Sequence, residues 1–169
     1  MMKNMLKWGL MGAVACAAMT VSGAEPAQPA AEAVATPSAV AAAMKGVQVL
    51  SGEVNPNAQV YFYLHSAGWC GPCCAAMPGI VELYKEMKAD GRAEIILISY
   101  DKSPEGAKKY AESYQAEMPT VHAGDKGLLS LPSFAHARGI PAVAIIRADG
   151  EVIGYGAPSR IAKWKELVK

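Results

Sequence analysis

The sequence is short of almost everything that would tie it to a polyanion, a membrane span or a metal cage. Lysine plus arginine number 16 against 15 for aspartate plus glutamate, and neither sign forms a block, so no nucleic acid or acidic polymer is expected as a partner. The apolar run from Trp8 to Val21 falls short of the ~20 residues that cross a bilayer. Cysteines number four, three of them in one cluster, and no second pair stands apart to complete a tetrahedral zinc site. The remaining candidate ligands, His65, His122 and His136, show no spacing that nominates one. No internal repeat is visible, and nothing in the sequence calls for a cofactor.

What is present begins with a leader. "MMKNMLKWGLMGAVACAAMTVSGA" has basic residues at Lys3 and Lys7, an apolar stretch, and small residues ending in Ser22-Gly23-Ala24. Residues 1–24 are expected to be a secretory signal peptide cleaved after Ala24, which places the protein in the periplasm or another extracytoplasmic space. A retained membrane anchor and a lipoprotein processed at Cys16 are the competing readings. Cleavage at Ala24 would remove Cys16 and leave Cys70, Cys73 and Cys74 in an oxidising compartment. An odd number of thiols cannot pair fully within one chain.

Residues 25–45 are rich in alanine and proline and poor in bulky apolar side chains, the composition of a tether with a short helix near its end. From residue 46 to 169 the pattern is that of one domain. "VQVL" (47–50) and "QVYFYLHS" (from Gln59) predict strands, "EIILIS" (from Glu94) predicts a central strand covered on both faces, and "AVAIIR" followed by the Asp-Gly turn and "VIGYG" predicts a terminal hairpin. Apolar residues at helical spacing from Ile80 to Met87 predict a helix stopped at Gly91. Ser103 and Pro104 open a second, and "PSRIAKWKELVK" closes the chain as a third. Residues 117–139 predict a short extended piece and then a helix ending at Gly139. Strands alternating with helices give a mixed α/β sheet with helices on both faces.

The stretch "SAGWCGPCCAAMP" (66–78) concentrates the chemistry. A disulfide closing so small a loop constrains the unfolded chain little, so a Cys70–Cys73 bond needs a reason other than stability. Cys70 lies where a strand gives way to a helix, beside unpaired N–H groups and the positive end of the helix dipole, which favour the thiolate. Bringing an unperturbed thiol from ~8.5 to about 7 takes roughly 2 kcal/mol, the upper end of a helix terminus's contribution, so hydrogen bonds from the turn must add to it. Cys73 lies a turn deeper, in reach of the first sulfur but shielded from bulky substrates. Cys70 is therefore the expected nucleophile and Cys73 the resolving thiol. Pro72 fits the first helical turn. Cys74, about 100° further round the helix, points away from Cys70 and is either a packed small residue or a third exchanging thiol.

"WCGPC" at 69–73, Pro78, and "RGIPAV" (138–143) ahead of a strand and the turn "ADGE" resemble the thioredoxin superfamily across about residues 46–169. Within it, "FYLHSAGWCGPCCAAMP" and "EIILISYD" are most similar to tryparedoxin, nucleoredoxin and the exported thioredoxin-like reductants. The resemblance implies a thioredoxin-like three-layer α/β/α sandwich with a mixed central sheet and a monomeric thiol-disulfide oxidoreductase. It further implies a cis peptide at Ile140–Pro141, an Ile140 backbone that pairs with an extended substrate, and Trp69 and Gly71 beside the sulfurs. The Gly-Pro between the cysteines resembles that of reductants, which implies protein disulfides as substrate and a membrane electron donor. Two departures stand out. Leu64 and Leu97 replace a buried aspartate and lysine of the family, and His65, on the opposite sheet face from Leu64, is expected to be a buried, satisfied histidine rather than a substitute base. His122 and His136 are expected at the surface. The alternative function is copper binding or delivery through Cys70, Cys74 and a histidine, a spacing seen in copper-delivering proteins of related fold.

Overall fold

The computed structural model describes residues 37–169; the predicted leader, Cys16 and most of the 25–45 stretch lie outside the described residues. A six-stranded sheet runs in the order β1-β4-β3-β2-β5-β6, with β1 Val49–Ser51, β2 Val60–Ser66, β3 Ala93–Ser99, β4 Thr120–His122, β5 Ala142–Arg147 and β6 Val152–Gly156. The central β2 and β3 are parallel and fully buried, while β5 and β6 add antiparallel at one edge and β1 at the other. β2 pairs with β3 so that Ser66 stands opposite Ser99. Both strands thus finish at one edge of the sheet, and the loops that follow them are neighbours.

Alternation along β2 divides the core. Val60, Phe62 and Leu64 join Met77, Ile80, Tyr84 and Met87 of α2 (Gly71–Asp90), Tyr110 of α3 (Pro104–Ser113) and Trp164 on one face. Tyr61 and Tyr63 face the other way, with Ile96, Ile98, Leu128 and the short helix α1 (Ala39–Met44). This layering is the predicted α/β/α arrangement. α2 stops where expected, with Gly91 in the left-handed conformation at φ 81° and its N–H bonded to the Met87 carbonyl. Ser103 caps α3 by accepting from the Gly106 N–H.

Three segments differ from the expectation. α1 is the short helix expected near the end of the 25–45 stretch, but its Val40 and Met44 are buried in the core, so packed structure begins near Ser38 rather than at residue 46. Residues 131–139 form no helix. The only helical piece in that region is a 3₁₀ turn at Lys126–Ser130, after which Pro132 and the positive φ of Ser133 (55°) interrupt the helical path. The C-terminal segment Pro158–Glu166 is wound as 3₁₀ rather than α-helix, still burying Ile161 and Trp164.

Candidate functional site: a disulfide at the start of α2

Cys70 caps α2, and its sulfur accepts the Cys73 N–H at 3.3 Å. The two cysteines form a disulfide across Cα atoms 5.2 Å apart, both sulfurs buried with Ala67 in a small cluster that Tyr100 and Ile140 pack against. Cys70 Sγ stands 3.8 Å from the Ile140 carbonyl oxygen. The Ile140–Pro141 peptide is cis, and it opens directly into β5 beside the end of β2, where His65 pairs with Ala142. Segments seventy residues apart thus meet at the sulfurs because β5 lies next to β2.

Trp69 is 64% exposed, with its indole N–H donated to the Tyr100 carbonyl at 3.0 Å. Gly71 and Pro72 occupy the first helical turn and are exposed; a Cβ added at Gly71 meets nothing within 4 Å, so the space outside the disulfide is open. The loop entering the helix is fastened at Gly68, whose N–H donates to both carboxylate oxygens of Asp101 at 3.2 and 3.1 Å. Asp101 is held in turn by the Ser99 hydroxyl at 2.7 Å.

Cys74 is free and half-buried, and it belongs to a different neighbourhood. Its thiol donates to the Gly68 carbonyl at 3.2 Å and it packs toward the α2/α3 side of the core, not into the Cys70–Cys73 cluster. Tyr114 stands beside it, and the contact with this thiol raises the tyrosine hydroxyl above its ordinary pKa.

Leu64 and Leu97 are fully buried, directly paired across β2 and β3, so no acid or amine lies beneath the disulfide from that pair. His65 is fully buried on the opposite face, as expected, but only half satisfied. Its Nδ1 meets the Tyr100 hydroxyl at 3.1 Å while Nε2 has no partner in the protein. Burial, with His136 adding to it, lowers its pKa to about 4, so His65 is uncharged at neutral pH. His136 is exposed at the surface, packed edge-on against Phe134. His122 is half-buried instead, donating from Nε2 to the Asp101 carbonyl at 2.8 Å. Among the described residues no group of three or more His, Cys, Asp or Glu is placed to hold a metal ion; Cys70, Cys74 and a histidine are not brought together.

Tyr100 and Asp101 were not singled out from sequence, although a signal existed. They follow directly on a buried parallel strand at the sheet edge where β2 delivers the cysteines.

A two-cysteine bond at a helix start, faced by a cis-proline loop on a sheet of this order, defines a thioredoxin-fold dithiol protein. The chain belongs to the Thioredoxin-like family, which it matches over residues 57–152. It is 29% identical over 118 residues to tryparedoxin of Trypanosoma brucei brucei, covering 66% of this chain and 79% of that one. It is 32% identical over 85 residues to thiol-disulfide oxidoreductase ResA of Bacillus cereus, covering 50% of this chain and 47% of ResA. Nucleoredoxin of Xenopus laevis is 38% identical over 98 residues, 56% of this chain but only 22% of that protein. The chain thus spans less than half the length of ResA and about a fifth of nucleoredoxin. Among solved structures, tryparedoxin II from C. fasciculata superposes with a TM-score of 0.57 at 27% identity, covering 76% of this chain and 91% of that one.

Proposed function

We propose that the protein is an exported thiol-disulfide oxidoreductase that reduces disulfides in substrate proteins. The observation that carries this reading is the Cys70–Cys73 disulfide at the N-terminus of α2, with Cys70 next to the Ile140 carbonyl. In the reduced enzyme the Cys70 thiolate attacks a substrate disulfide, forming a mixed disulfide and releasing one substrate thiolate. Cys73, deprotonated, then attacks Cys70 Sγ; the second substrate thiolate leaves and the Cys70–Cys73 disulfide is formed. Two electrons pass to the substrate, and an external donor returns them. The Cys73 N–H and the start of α2 stabilise negative charge on Cys70. With leucines at 64 and 97, the proton of Cys73 leaves to water rather than to a carboxylate beneath it.

Trp69, Gly71, Pro72, Ile140 and Pro141 form the surround of the sulfurs: an exposed indole on one side, an open first helical turn, and a backbone carbonyl on the other side that an extended chain could meet. The named activities of ResA and tryparedoxin support the same reading. Removal of residues 1–24, a tether ahead of a domain whose packed structure begins near Ser38, residence in the periplasm, a monomeric state and a membrane electron donor complete the proposal. No helix among the described residues is long and apolar enough to cross a membrane.

The test is an insulin-type reductase assay on wild type, Cys70→Ser and Cys74→Ser. Activity in wild type, absent without Cys70 and retained without Cys74, supports the exchange mechanism. An inactive wild type, or loss with Cys74→Ser equal to that with Cys70→Ser, contradicts it.

A further inference from the structure

Tyr100 touches both walls of the sulfur site. Its backbone carbonyl accepts the Trp69 indole N–H, and its ring packs against the Ala67, Cys70 and Cys73 cluster. Its hydroxyl reaches the other wall, the segment that leads into Ile140–Pro141, through the Ala137 N–H at 3.0 Å and His136 Nδ1 at 3.4 Å. Behind it lies the buried His65, Nδ1 at 3.1 Å.

Three neighbours share one phenol oxygen, and counting donors settles who gives to whom. The oxygen has one hydrogen and two lone pairs, and the Ala137 N–H can only donate, so it fills one lone pair. Of the two histidines, one must donate to the oxygen and the other accept its hydrogen. His65 Nε2 is buried without a partner. A proton there would strand an N–H in the core, whereas a bare lone pair costs less. His65 therefore carries its proton on Nδ1 and donates to Tyr100, and the Tyr100 hydroxyl donates outward to His136. The direction of the chain is fixed from the core.

We propose that Tyr100 is a positioning residue for substrate recognition, its hydroxyl oriented by His65 and tying the 136–137 segment to the wall that carries Trp69. This rests on the oxidoreductase reading above, and it names the group that holds the two sides of the site at their spacing. The α2 start and the Cys73 N–H that face the Cys70 sulfur do not involve Tyr100. The hydroxyl accordingly matters most for an extended protein substrate that spans both walls and least for a small disulfide that touches only sulfur.

Tyr100→Phe keeps the ring and the backbone carbonyl and removes only the hydroxyl. The expected result is a KM for a protein disulfide raised about five- to tenfold, the scale of one or two lost hydrogen bonds, with a smaller change in kcat. The penalty should be several-fold larger for the protein than for a small aromatic disulfide. His136→Asn, whose Oδ1 can accept the same hydrogen, should restore most of the KM that His136→Ala loses. Amide exchange adds a readout independent of activity: the Ala137 N–H should exchange severalfold faster in Tyr100→Phe than in wild type. An unchanged KM, or an equal loss on both substrates, overturns the proposal, and so does unchanged Ala137 exchange. If wild type reduces neither disulfide, the oxidoreductase reading fails, while Ala137 exchange still decides whether the tie exists.

Discussion

One end of the central strands buries an imidazole and the other a carboxyl group, and they are treated in opposite ways. At the sulfur end, His65 of β2 has one hydrogen bond and an empty Nε2. At the far end, Glu94 of β3 is 3% exposed and both its oxygens are engaged: Oε2 accepts from the Asn55 N–H and Oε1 from the Ile95 N–H, with Tyr84 close by. Burial dominates both. It pushes Glu94 up to about 7 against the pull of those hydrogen bonds, and it pulls His65 down to about 4. The difference teaches where the fold can be altered cheaply. At the far end both oxygens of the acid are met by backbone N–H groups, an arrangement that suits stability. The sulfur end keeps one unmet imidazole nitrogen, an exposed indole and an open helical turn, the features that the proposed exchange would use.

The largest effect that separates the two ends is expected from Cys70→Ser, which should abolish turnover while shifting the melting temperature little, because the loop it closes is short. A variant that lost its fold along with its activity would erase the distinction.

The two buried titrations give the next effect. The Glu94 pKa is raised from 4.5 to about 7, so its contribution to stability is full below 4.5 and is lost as pH rises through 7. The His65 pKa is lowered from 6.5 to about 4, so its contribution is full above 6.5 and is lost as pH falls through 4. Each amounts to something on the order of 3 kcal/mol, with opposite sign over nearly the same window. Their sum in the wild type is therefore nearly flat. Denaturant unfolding between pH 4 and 8 should show stability rising with pH in Glu94→Gln relative to wild type, and falling with pH in His65→Phe. Parallel curves for all three proteins would contradict the assignment. Glu94→Gln should also be less stable than wild type at pH 4, since an amide cannot accept from both backbone N–H groups as the acid's two oxygens do.

The smallest effect concerns Cys74. Its thiol makes one weak hydrogen bond to Gly68, so Cys74→Ala should cost under about 1 kcal/mol and leave turnover within about twofold. A tenfold loss of activity would mean that the third sulfur takes part in exchange.

The fold was legible where pattern alone decides. The alternation in β2 separated Leu64 from His65, the continuous apolar run marked β3, and Gly91 and Ser103 gave helix ends that the structure keeps. The meeting of Cys70 with Ile140–Pro141 was readable only through resemblance, since nothing local connects residues so far apart. What escaped depends on partners that sequence does not place side by side. The stretch 117–139 was read as an extended piece followed by a helix ending at Gly139, but the Ala137 N–H is used by Tyr100 instead of by a helical carbonyl. Val40 and Met44 looked too sparse to anchor a segment, yet they find a sheet face already formed by Tyr61 and Tyr63. Glu94 stood at the head of a strand with no hint that Asn55 and Tyr84 would enclose it. The position of Cys74 followed from the helical step alone, and the structure adds what it touches.

The central claim is that Cys70 alone among the three thiols attacks substrate and that Cys73 releases it. The most direct measurement uses reduced Cys73→Ser protein mixed with a disulfide-containing protein, followed by mass spectrometry of the non-reduced peptides. The account predicts a stable mixed disulfide on Cys70, with Cys74 unmodified. A substrate found on Cys74, or no covalent adduct at all, would contradict it.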